Sequence, residues 1–89
     1  MYDLLIRNAQ IVDGTGGPAF EGDLALVDRR IVAVGTHLEG EAHTLLEAEG
    51  LVVAPGFIDA HTHDDLAVTR QGVVEAKVQQ GITSLVLGN

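Results

Sequence analysis

With 89 residues, no cysteine and 13 acidic against 5 basic side chains, the chain is one small domain or part of a larger one, without disulfides. A net charge of −8 repels a phosphate backbone or an anionic bilayer, so nucleic acid and membrane are poor partners. No apolar run approaches the ~20 residues of a membrane span. Residues 1–7 lack the basic, apolar, small order of a secretory signal, and the expected location is cytoplasmic.

Aromatic residues are only 3% of the chain, so the apolar mass is Val, Leu, Ile and Ala, which suits strands and a layered core. Residues 2–7 and 9–12 read as strand. Asp13-Gly14-Thr15-Gly16-Gly17-Pro18 is a turn by composition. Its glycines lack the Gly-x-Gly-x-x-Gly spacing before a helix, which argues against a phosphate cradle. Residues 22–27 and 30–35 form a hairpin across Asp28-Arg29, a turn without the Asn-Gly or Asp-Gly that hairpins favour. Residues 36–42 are polar and acidic and read as a surface loop. Residues 44–47 and 51–54 look like a second strand pair around Glu49-Gly50. Five or six short strands with turns every 8 to 12 residues predict a β-sandwich or small barrel over residues 1–55.

After Pro55 the pattern changes. Residues 57–63 are a short apolar strand ending in polar groups. Residues 71–80 carry helical spacing, with Gly81 where a helix C-cap belongs. Residues 82–87 read as a strand buried on both faces. Strand, crossover helix and strand make one βαβ unit over residues 56–89. The predicted fold class is therefore mostly β with one α/β unit, in two domains, 1–55 and 56–89.

The chemistry concentrates at the end of the strand that follows Pro55. On an extended strand, alternate side chains share a face, so His61 and His63 point one way, about 7 Å apart, and Thr62 the other. Neutral imidazoles so placed can bind one divalent ion. Asp64 and Asp65 could join that ion's shell, orient an imidazole through its other ring nitrogen, bind a cationic substrate group, or simply cap a following turn. Asp59 shares the histidines' face and is either a deeper acceptor or a plain structural hydrogen-bonding group. His37 and His43 lack a partner pattern and read as solvated. Thr83 and Ser84 have no base nearby and are not nucleophiles.

Pro55-Gly56-Phe57-Ile58-Asp59-Ala60-His61-Thr62-His63 resembles the first-strand motif of the amidohydrolase superfamily, metal-dependent hydrolases on a (β/α)₈ barrel. Ile11-Val12-Asp13-Gly14 and Ile31-Val32-Ala33-Val34-Gly35 resemble that superfamily's N-terminal β-sandwich. Asp64-Asp65, with Gln80-Gly81-Ile82-Thr83-Ser84-Leu85-Val86-Leu87-Gly88-Asn89, is similar to the N-acyl-D-amino-acid deacylase branch. The resemblance implies a zinc or other divalent site with His61 and His63 as ligands, and metal-assisted attack of water on the amide of a small N-acyl-D-amino acid.

The resemblance also implies what is missing. A (β/α)₈ barrel takes about 250 residues. In the deacylases a metal-ligating cysteine follows the Gly-Asn, and later strands supply further histidines and an acid/base aspartate. Two histidines fall short of the three protein ligands typical of catalytic zinc. The 89 residues are therefore expected to be an N-terminal fragment without catalytic residues of its own, inactive alone and prone to self-association or domain swapping. Its rivals are a site rebuilt by several chains, a hydantoinase- or dihydroorotase-like parent, and a non-catalytic self-associating β-sandwich module.

Overall fold

Strand β1, Tyr2–Ile11, is the axis of the first fifty-odd residues. It pairs antiparallel with β2 (Phe20–Val27), and β2 pairs antiparallel with β3 (Arg30–Gly35). Its other edge runs parallel to β4 (Ala42–Glu47) and then to β5 (Val52–Val53). The result is a five-stranded mixed sheet of order β3-β2-β1-β4, with β5 also on β1. The computed structural model describes residues 1–60 and 78–85, which fall in two compact units, Met1–Pro55 and Gly56–Asn89.

The gap between the two predicted runs of β1 is a β-bulge. Ile6 faces Leu24 and Ala9 faces Gly22, so three steps on β1 match two on β2. Asn8 takes a φ of 58°, a left-handed conformation that Asn tolerates better than most residues. The extra residue resets the period-two alternation. Ile6, Ala9 and Ile11 thereby join Leu24 and Ala48 in one buried cluster, with Leu4, Leu26 and Val53 packed against it. Without the bulge, Ile6 and Ile11 would face opposite sides. Leu5 and Ala25, paired across the strands, are buried on the other face.

The predicted hairpin is present, closed by a two-residue turn between Val27 and Arg30. Both turn residues have positive φ, 50° at Asp28 and 67° at Arg29, the backbone that matches strand twist in tight hairpins. Arg29 carries a Cβ in a region costing roughly 1–2 kcal/mol for ordinary residues. Arg29→Gly should therefore raise stability by about 0.5–1 kcal/mol, after allowing for glycine's greater unfolded-state freedom. A thermal or urea midpoint that does not rise would contradict this reading of the turn.

The second predicted strand pair is not a pair. β4 and β5 do not bond to each other, because residues 48–50 shift the chain along β1 instead of reversing it. The Ala48 N–H donates to the Arg7 carbonyl and the Leu51 N–H to the Ala48 carbonyl, while Gly50 takes a φ of 82°. Ala48 is buried beneath this step, so the two short strands are successive stretches of one neighbour.

In the second unit, β6 (Phe57–Asp59) and β7 (Ile82–Leu85) pair in parallel. The predicted helix over 71–80 lies outside the described residues except for its end, where residues 78 and 79 are helical and a turn follows. Gly81 has a φ of 88° and its N–H donates to the Val78 carbonyl at 2.9 Å, as a C-terminal cap requires. Strand is thus the main regular structure of the described residues, with almost no helix.

Candidate metal centre

Two parallel strands finish on the same side of their sheet, and their C-terminal ends are where α/β proteins gather chemistry. β6 finishes at Asp59, which is half-buried and has its Cα opposite that of Leu85. His61 and His63 follow β6 in the chain, and Gly88 and Asn89 follow β7. His61, His63, Asp64 and Asp65 lie outside the described residues, as do Gly88 and Asn89. Among the described residues, no three His, Cys, Asp or Glu side chains come together in a way that could hold a metal ion.

The N-terminal side of the strand pair is well defined. The Phe57 N–H donates to the Gly81 carbonyl at 2.7 Å, which ties the start of β6 to the residue entering β7. The Phe57 ring lies against Gly81, where a Cβ would stand 3.2 Å from Cδ2 and 3.3 Å from Cε2. Gly81 thus serves two ends, turning the chain and leaving room for the ring. The strand leading to the histidines is held from below by contacts of these kinds.

His37 and His43 are exposed, as expected of solvated histidines. The charged cluster that the sequence reading missed is in the first unit. Asp23 is only 3% exposed and accepts from the Asn8 N–H, the Leu38 N–H and Arg7 Nη1, at 3.0, 3.0 and 3.1 Å. Arg7 also donates from Nη2 to the Leu38 carbonyl. Burial is the strongest single influence on Asp23 and pushes its pKa up. The donors from Asn8 and Leu38, then the charges of Arg7 and His37, outweigh it and hold the carboxyl below the usual aspartate range. Both Asp23 carboxylate oxygens and both terminal nitrogens of Arg7 have partners inside the protein, and together they fasten the Leu38 backbone to β1 and β2. Its signal was an Asp inside the strand Gly22-Asp23-Leu24-Ala25-Leu26-Val27, opposite the break in β1.

Asp13 is held low by the Thr15 hydroxyl and then the Thr15 N–H, both donating to Oδ1, which makes residues 13–15 a self-contained turn. Beside it an open apolar groove of about 340 Å³ runs along the sheet, lined by Ile11, Phe20, Leu24, Ile31, Val34 and Val53.

No protein-family profile matches the chain. It is 43% identical over 88 residues to a D-aminoacylase of Alcaligenes xylosoxydans xylosoxydans, an alignment covering 99% of this chain and 18% of the enzyme. It is 47% identical to an N-acyl-D-aspartate deacylase of the same organism, over 98% of this chain and 18% of that protein. Among solved structures it superposes with a TM-score of 0.91 on an N-acyl-D-glutamate deacylase from Bordetella bronchiseptica, complexed with zinc and a phosphonate inhibitor that mimics the tetrahedral intermediate. That match is 43% identical and covers 99% of this chain and 19% of the other. The chain therefore spans under a fifth of the length of the curated relatives it matches.

Proposed function

Because the chain is a relative of the N-acyl-D-amino-acid deacylases of the amidohydrolase superfamily along nearly its whole length, we propose that it supplies one part of a zinc-dependent hydrolase acting on N-acyl-D-amino acids. In this reading residues 1–55 form one layer of a β-sandwich, and residues 56–89 form the opening strand-helix-strand of a (β/α)₈ barrel. His61 and His63 are metal ligands.

The observation that carries this is the parallel pairing of β6 with β7, which requires a crossover through residues 60–81. Parallel sheets are covered on both faces. Phe57 and Ile58 are 59% and 68% exposed on a two-stranded sheet, which is apolar surface that further polypeptide, another copy included, would cover.

Two imidazoles fit zinc or a similar divalent ion by donor chemistry. Zinc, when bound in such a site, polarises a carbonyl and makes water a nucleophile near neutral pH. The residues of this chain have narrower tasks. His61 and His63 must be neutral to ligate, so protons compete with the metal for them. Asp59, Asp64 or Asp65 can accept from the ring N–H that each histidine does not use, and so fix the tautomer. Two ligands do not complete a catalytic zinc site, so hydrolysis by the 89 residues alone is not expected.

Titration with zinc tests the reading. His61→Ala or His63→Ala should weaken binding by roughly 100-fold, because either change leaves a single imidazole. Unchanged affinity in both variants would remove the metal assignment.

A further inference from the structure

The pairing of β6 with β7 is not regular. Phe57 faces Ile82, but Ile58 faces Ser84 and Asp59 faces Leu85. Thr83 is therefore an extra residue on β7, a bulge in a parallel ladder, where bulges are rare. Its side chain stands over the backbone of Gly56, the residue before β6. A Cβ built on Gly56 would collide with Thr83 Oγ1 and would lie 2.7 Å from Cγ2 and 2.8 Å from Cβ. The Thr83 Cβ is fixed to its own backbone, so no side-chain rotation relieves that collision. Only a glycine at 56 lets β7 bulge at this point.

The geometry points to Gly56 and Thr83 as positioning residues that set which residues of the β7 segment stand level with Asp59, the C-terminal end of β6. If the bulge were ironed out, Ile58 would face Thr83 and Asp59 would face Ser84. Each later residue would then slip one place along β6, and in a strand a one-residue slip turns every side chain to the opposite face. Asp59 is the last residue of β6, two positions before His61 in the chain, so the register chosen at residue 56 fixes which β7 residue stands beside the stretch that leads to the candidate metal ligands. Bulges next to functional sites commonly re-aim side chains in this way. This role rests on the metal reading of His61 and His63. The steric part of it does not.

The test is a steric swap in the 89-residue chain, with Gly56→Ala, Thr83→Gly and the double variant compared with the parent. Register is read by NMR, from cross-strand contacts between the Asp59 and Leu85 backbones and slow exchange of the Phe57 N–H. Metal affinity is read separately by titrating cobalt(II) and following its ligand-field absorption. Gly56→Ala should lose the Asp59–Leu85 contacts, or exchange them for Asp59–Ser84, and bind cobalt about tenfold or more weakly. Adding Thr83→Gly should restore both, because it removes the atoms that the new methyl meets. Signals from the first unit report whether the protein remains folded.

Retention of the Asp59–Leu85 contacts in Gly56→Ala would overturn the steric argument. Failure of the double variant to recover would do the same, even where the single variant melts the second unit. A changed register with unchanged cobalt affinity would leave a structural bulge and end the positioning role. A parent chain that binds no cobalt would overturn the histidine reading and the positioning role with it, while the NMR result still decides the steric claim.

Discussion

Asp23→Ala should lower the stability of the first unit by about 3 kcal/mol, read as a fall in the urea midpoint followed by circular dichroism. The residue is 3% exposed, and its side chain is the acceptor for two backbone N–H groups and one guanidinium. Its removal leaves the Asn8 and Leu38 donors without their partner in a part-buried position. The Arg7 contribution is discounted because its side chain is 31% exposed and water can reach it. Asp23→Asn keeps the shape and an accepting oxygen and should cost about half as much.

The same residue dictates a pH dependence. Its carboxyl titrates below the usual range in the folded protein, so its stabilisation is complete above about pH 4. That stabilisation is lost as the pH falls through the folded-state pKa. Asp23→Asn should remove this component of the acid-side slope, and an unaltered slope would show that other carboxylates carry it.

Leu5→Ala should cost about 2–5 kcal/mol, the range for emptying a buried leucine site. Leu5 is 1% exposed and, among the described residues, is the largest of the fully buried side chains. It lies on the face of β1 opposite the Ile6 cluster, between Ala25 and Leu45 on the neighbouring strands. Alanine already stands at 25, and Leu45, the other paired neighbour, is 61% exposed and would have to turn inward to fill the space. Ile6→Val, which removes one methylene from a residue 8% exposed, should cost only about 1 kcal/mol. A urea midpoint falling by the same amount in both variants would mean that the Leu5 side collapses as readily as the other.

Alternation made most strands legible, because period two records which side chains share a face. It does not record which strand lies alongside. That is why residues 22–27 and 30–35 could be paired across two residues, whereas residues 44–47 and 51–54 read as a strand pair and instead both lie alongside β1. Ala48, Glu49 and Gly50 look like a turn by composition, yet here they move the chain over to the next stretch of β1. The break at Asn8 was visible, but its effect on phase was not, since a bulge is a relation between two strands. Asp23 escaped notice for a similar reason: an acidic residue in an apolar strand declares itself only when the arginine and amides that hold it are in place. Of the candidate site, the His-x-His spacing is plain in the residues and Asp59 lies at the end of β6, while the histidines fall outside the described residues.

β1 is made first and finished last. One of its edges is closed early by the neighbouring hairpin, but the other waits for residues 42–53. As the polypeptide leaves the ribosome, β1 must stay in solution with one row of amides and carbonyls uncommitted until residues 42–53 have followed it. A stalled translation product ending before Val52 would thus present an unfinished ribbon, open to quality-control proteases and to capture by chaperones.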